Sequence, residues 1–163
     1  MPTDEQIGPQ AEINFREITE DTVRVISDLS RTLPDAQRHM VADNSLSIAQ
    51  GCYSLKSWFR AIYADETPVG FIMLYDDSET PEYFLWRLMI ARPYQGMGFG
   101  RRAVEMLIDY VKTRPNADEL LVSCGEGEGS PEGFYRRLGF KRNGKMHGDE
   151  VGLSLPLTTE PIR

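Results

Sequence analysis

The strongest constraint on this chain is a junction at which an apolar strand passes into an amphipathic helix through a turn with glycines at alternate positions. The run Tyr83-Phe84-Leu85-Trp86-Arg87-Leu88-Met89-Ile90 is apolar on both faces except at Arg87, the pattern of a central strand covered from both sides. Arg87 is either ion-paired or near the strand's open end, or it touches a cofactor or substrate. The turn reads Gln95-Gly96-Met97-Gly98-Phe99-Gly100-Arg101-Arg102. From Gly100 to Val111, apolar residues then fall at Ala103, Val104, Leu107, Ile108 and Val111, a double stripe that fixes a helix with one buried face. Glycines remove the Cβ atoms that would hold a ligand away from the backbone and leave successive N–H groups pointing outward. The helix start adds unpaired N–H groups and the positive end of its dipole, so the turn is suited to phosphate, with Arg101 and Arg102 beside it for outlying charge. The competing reading is a glycine-rich connector without a ligand.

The spacing decides which phosphate ligand. The dinucleotide fingerprint Gly-x-Gly-x-x-Gly fails because Arg101 stands in its third glycine place, and a nucleotide P-loop fails for want of Gly-Lys-Ser/Thr. What fits is Gln-x-x-Gly-x-Gly, carried by Gln95, Gly98 and Gly100, and this resembles the acetyl-CoA loop of the GNAT N-acetyltransferase superfamily.

The rest of the chain orders around that junction. Ile13 to Ile18 alternates as a half-buried strand, and Thr19-Glu20-Asp21-Thr22 is a helix-start signal before Val23, Val25, Ile26 and Leu29. Periodicity is soft between Pro34 and Tyr53, with helix expected at Asp35–Ala42 and Ser45–Tyr53. Trp58–Ala64 and Val69–Tyr75 form a hairpin about Asp65-Glu66-Thr67-Pro68, and Asp76–Pro81 reads as an acidic loop. Arg114-Pro115-Asn116 ends the amphipathic helix. Glu119–Ser123 is a short strand and Gly125–Gly129 a loop. Ser130–Gly139 is a helix capped by Ser130, opened by Pro131 and stopped by Gly139. Phe140–Lys145 and Glu150–Leu155 complete the strands. One domain over residues 1–163 is expected, with 1–10 and 158–163 flexible. The fold class is α/β, a mixed sheet with helices on both faces. This order is similar to the GNAT fold, a central sheet of about seven strands, and the resemblance implies that Tyr83–Ile90 and Glu119–Ser123 splay apart to admit the pantetheine arm.

Composition narrows the partners. The 163 residues carry a net charge of −7, which argues against nucleic acid and favours a cationic partner. No run approaches the ~18 apolar residues of a membrane span, and Met1-Pro2-Thr3-Asp4-Glu5 is unlike a secretory leader, so a cytoplasmic location is expected. Cys52 and Cys124, with His39 and His147, make neither a disulfide framework nor a metal site.

The resemblance also assigns a site. Acetyl-CoA would be the cosubstrate, with no metal. Leu88, Met89 and Ile90 would pair with its pantetheine arm as an added strand, and Gln95, Gly96, Met97, Gly98, Phe99, Gly100 and Arg101 would hold its pyrophosphate. Tyr135, in Phe134-Tyr135-Arg136-Arg137-Leu138-Gly139-Phe140, matches the tyrosine that commonly protonates the leaving sulfur. The helical spacing puts Phe134 and Leu138 on the core face and turns Tyr135 about 100° toward its edge. Relatives often carry an asparagine where Glu128 stands here, and Ser130 would take over part of its contact. The amine must lose a proton, directly or through water, and Glu82, Glu126, Glu128 and Glu150 are the candidate acceptors. Trp86-Arg87-Leu88-Met89-Ile90 leading into Tyr94-Gln95-Gly96 looks like the bacterial spermine/spermidine acetyltransferase branch, so a polyamine is the first expected acceptor. An aminoglycoside, an amino acid or a protein N-terminus stays open, as does a CoA-binding module without turnover. A homodimer is the family's habit.

Overall fold

The computed structural model describes residues 6–157; the expected tail at 158–163 and the first five residues lie outside them. The strands are β1 (Ile13–Arg16), β2 (Ser57–Ala64), β3 (Thr67–Asp77), β4 (Glu82–Ile90), β5 (Glu119–Cys124), β6 (Lys141–His147) and β7 (Glu150–Pro156). The helices are α1 (Val23–Asp28), α2 (Asp35–Arg38), α3 (Asn44–Tyr53), α4 (Phe99–Lys112) and α5 (Glu132–Arg137). The seven strands form one sheet in the order β1-β2-β3-β4-β5-β7-β6, antiparallel except where β4 meets β5.

Alternation along β3 shows why the sheet is covered twice. Ile72 and Leu74 enter the larger core with Phe99, Ala103, Val104, Leu107 and Val111 of α4, while Phe71 and Met73 join Ile26 of α1 on the opposite face. The buried positions of α4 therefore follow the stripe read from the sequence.

Several boundaries differ from expectation. The acidic stretch begins as strand, because β3 runs through Asp77. Asp76 accepts from Arg114 and from the Tyr110 hydroxyl, both at 3.0 Å, and Asp77 pairs with Lys56 at 3.1 Å and accepts from the Glu79 and Thr80 N–H groups. These carboxylates close the sheet end. Helix Asp35–Ala42 shortens to α2. The last helix begins at Glu132 with Pro131 as its cap residue, while Ser130 instead donates to Gly125 O at 2.5 Å and accepts from the Glu132 N–H at 3.2 Å, bracing the loop before it.

Two irregularities in β4 position the site. On the β3 side, Met73 opposes Arg87 and Leu74 opposes Leu85, so Trp86 is an extra residue at a bulge. On the β5 side, pairing is confined to Phe84 with Leu121 and Leu85 with Val122, after which the strands diverge.

Candidate active site

The divergence opens a cleft of about 1330 Å³ between the C-terminal half of β4, the β5–α5 loop and the start of α4. Its β4 wall is an unpaired strand edge. Ala91 N–H donates to Val69 O at 2.8 Å, and with the β3 register this makes Met89 with Phe71 a hydrogen-bonded pair and Leu88 with Ile72 a non-bonded one. The peptide groups of Leu88 and Ile90 therefore face the cleft, and those of Met89 face β3. Of the three residues expected to pair with an added strand, Leu88 presents its N–H and C=O and Ile90 its N–H, the Ile90 C=O accepting from Gln95, while the Met89 groups are spent on β3.

At the cleft's far end lies the glycine turn. Gly96 and Gly98 have φ of +80° and +81°, and a Cβ at either would meet nothing within 4 Å. The open space above the turn is what a Cβ would take from a ligand. Among the described residues no backbone carbonyl accepts from the N–H groups of Gly96 through Arg101, and the helix ladder begins with Arg102 N–H to Gly98 O at 3.1 Å. These free donors at a helix start fit a pyrophosphate.

The side chains there behave differently from expectation. Gln95 is occupied: its amide donates to Ile90 O at 2.9 Å and to Gln37 Oε1 at 2.8 Å, which ties the turn to β4 and α2. Met97 and Phe99 pack into the larger core and offer only backbone. Arg101 pairs with Glu105 at 3.0 Å while lining the cleft, whereas Arg102 donates to Ala11 O and Pro9 O and holds the N-terminal segment instead of facing a ligand.

Tyr135 corrects the helical-wheel expectation. It is the buried residue of α5, 5% exposed, with Phe134 and Leu138 only half-buried around it. Its ring stands edge-on to Phe134 and Phe140 at 5.2 and 5.5 Å, yet it still lines the cleft. Burial, reinforced by Cys124 and Glu150, pushes its phenol well above the ordinary tyrosine range, so it stays protonated.

Of the four candidate proton acceptors, Glu126 and Glu150 line the cleft and Glu82 and Glu128 lie outside it. Glu126 is paired with Arg142 at 2.7 Å, in a network that also holds Glu132. Glu150 accepts a hydrogen bond from Ser123 at 3.2 Å and has no ion pair among the described residues, which leaves it the freer base. Asp149 and His147 line the same wall. The sequence did not single out Gln37 or Met40 of the soft segment. Gln37 meets Gln95, and Met40 lies against Gly125, where an added Cβ would stand 2.9 Å from its sulfur. No periodic signal in that segment pointed to either.

Comparison with known proteins gives the family. The acetyltransferase (GNAT) family profile matches residues 23–140. The chain is 26% identical over 147 residues to the spermine/spermidine N(1)-acetyltransferase of Bacillus subtilis, covering 85% of this chain and 95% of that one. It is 30% identical over 97 residues to the peptidyl-lysine N-acetyltransferase YjaB of Escherichia coli, covering 60% of this chain and 58% of that protein. The solved PaiA N-acetyltransferase of Thermoplasma acidophilum, in complex with coenzyme A, superposes with a TM-score of 0.68 at 16% identity, over 89% of this chain and 99% of its own. With a splayed strand edge, a glycine turn of free N–H donors and a matching profile over most of its length, this chain belongs to the GNAT acetyltransferase family and is an acetyl-CoA-dependent N-acetyltransferase.

Proposed function

We propose that the protein acetylates a primary amine of a small cationic acceptor, with a polyamine such as spermidine or spermine as the first substrate class, by direct attack in a ternary complex. The observation that carries this reading is the placement of Tyr135 and Glu150 on one cleft whose other end is the glycine turn. Acetyl-CoA supplies the acetyl thioester, held by the N–H groups of Gly96 to Arg101 and the edge groups of Leu88 and Ile90. Glu150, directly or through water, takes the proton that the ammonium must lose. Tyr135 donates its hydroxyl proton toward the departing sulfur. A raised phenol pKa weakens it as an acid, but the same burial raises the basicity of a thiolate beside it, so donor and acceptor remain matched. Asp149 adds negative charge to the cleft lining beside Glu150, and the chain's −7 favours a polycation. The polyamine reading is further supported by the Bacillus relative.

The test is release of free thiol from acetyl-CoA with separate pools of polyamines, aminoglycosides, amino acids and short peptides. Release with the polyamine pool is expected. Release confined to other pools refutes the polyamine assignment and leaves the enzyme class intact.

A further inference from the structure

Arg87 carries a charge that the protein does not neutralise locally. Its Nη1 donates to Trp86 O at 2.9 Å and its Nη2 to Gln50 Oε1 of α3 at 3.2 Å, while its Nε is buried without a partner. Other arginines tied down by side chains are ion-paired: Arg114 with Asp76 at 3.0 Å, Arg142 with Glu126 and Glu132 at 2.7 and 2.6 Å. Among the described residues no carboxylate forms such a pair with Arg87. Burial lowers the guanidinium pKa, and the charge of Glu150 opposes that lowering. Both residues line the cleft, one from β4 and one from the start of β7.

A half-buried guanidinium with unused N–H donors is costly in isolation, and a carboxylate is the ligand that offsets that cost best, because it brings both charge and planar acceptors. The site thus presents an anion for an ammonium and, apart from it, a cation for something else. A polycation engages the first alone, whereas a molecule that carries both an ammonium and a carboxylate engages the two.

We propose that Arg87 is an acceptor subsite for carboxylate, and that the enzyme also acetylates primary amines that carry a carboxylate on the same small molecule, the amino-acid class. This rests on the acetyltransferase activity but not on the polyamine assignment. In the step, the amine nitrogen bonds to the acetyl carbon as the carbon–sulfur bond breaks. Of the two protons the ammonium gives up, one is balanced by the proton that reaches sulfur and the other leaves to solvent by way of Glu150. Arg87 changes no bond; the carboxylate stays ionised and held by its Nη groups.

Matched acceptors isolate the carboxylate: L-ornithine against 1,4-diaminobutane, and L-lysine against 1,5-diaminopentane. Each pair shares an amine skeleton and differs by one carboxylate. With thiol release as the assay, the amino acids are expected to turn over. In Arg87→Gln the ratio of amino-acid to diamine kcat/KM is expected to fall tenfold or more, with Arg87→Lys intermediate. L-lysine methyl ester, which removes the anion without altering the protein, is expected to lose tenfold or more against L-lysine on the wild-type enzyme. The proposal is overturned if the diamines turn over and the amino acids do not, if Arg87→Gln leaves the ratio unmoved, or if the ester matches the acid. Silence with every amine overturns this proposal together with the reading of the acceptor site, whereas turnover of diamines alone overturns only this one.

Discussion

The assignment of Tyr135 as proton donor is the part of the mechanism that one atom can test. Tyr135→Phe removes the hydroxyl and keeps the ring that packs edge-on to Phe134 and Phe140 at 5.2 and 5.5 Å. The shifts acting on the phenol come from burial and from the charges of Cys124 and Glu150, with no hydrogen bond to a protein group among them. Loss of the oxygen therefore strands no partner, and stability should change by less than about 1 kcal/mol, a few degrees in melting temperature. The same deletion takes a donor from the leaving sulfur, and a positioned acid of this kind contributes about 10²- to 10⁴-fold. Single-turnover thiol release at saturating acetyl-CoA isolates the chemical step. The expected result is a rate lower by about 10²-fold or more, with acetyl-CoA binding by calorimetry within about twofold of wild type. A chemical step unchanged within about twofold refutes the role. A melting temperature lower by about 10 °C would instead make Tyr135 a packing residue whose hydroxyl has a structural partner. Because burial raises this phenol's pKa, wild-type activity should show no falling limb due to Tyr135 below about pH 10, where a free tyrosine would ionise.

Other consequences follow from the backbone and the charge network. Gly98→Ala places a Cβ at φ +81° with no atom within 4 Å, so it should cost about 1–2 kcal/mol in backbone strain and weaken coenzyme A binding tenfold or more by calorimetry. Unchanged affinity would show that the ligand does not use this turn. Gly70→Ala puts a Cβ 2.3 Å from the Met89 carbonyl oxygen, and should cost about 2 kcal/mol or more in thermal unfolding; an unaltered melt would contradict the β3–β4 register. Glu132 is held at about 2 chiefly by Arg142 and then Arg136, and Asp77 at about 2 by the Thr80 hydroxyl, with Lys56 and the Glu79 and Thr80 N–H groups behind it. Depressed carboxylates stabilise above their unfolded values of 4.5 and 3.8, so melting temperature should fall as pH drops from about 4.5 toward 2. Glu132→Gln should flatten that fall, and a slope as steep as wild type would deny the network its role.

Much of the architecture was legible because local periodicity is tied to burial. The double stripe of α4, the alternation of β1 and the Gly/Pro stops gave the element order, and the glycine turn marked one end of the cleft. Rotation of short elements was not legible. The six-residue α5 turns Tyr135, and not Phe134 or Leu138, into the core, because the face it buries is fixed by Phe140 and by where the β5–α5 loop delivers the chain. A wheel drawn on one and a half turns has no fixed zero. Partnerships across long sequence distances were equally hidden: Arg102 reaches Ala11 and Gln95 reaches Gln37, so residues read as phosphate ligands are partly structural ties.

Arg87 illustrates how one backbone irregularity converts a sequence anomaly into a site residue. In a regular strand Arg87 would share a face with Leu85, which lies in the larger core beneath α4. An unpaired guanidinium there would be severely destabilising. The extra residue at Trp86 shifts the alternation by one. Leu88 and Ile90 then fall on the larger core and Met89 on the smaller, and Trp86 and Arg87 both come to the side of the smaller core, the indole packing there and the guanidinium reaching Gln50 of α3. The bulge stands where β4 parts from β5, since the last paired residue is Leu85. The same local event therefore frees the strand edge that lines the cleft and delivers a cation to its wall. Deleting Trp86 would set Arg87 directly after Leu85, still on the side of the smaller core, with Leu88, Met89 and Ile90 on their present faces; the variant should lose the bulge and the indole's packing but keep the fold, and a structure of it with Arg87 turned against α4 would refute this account.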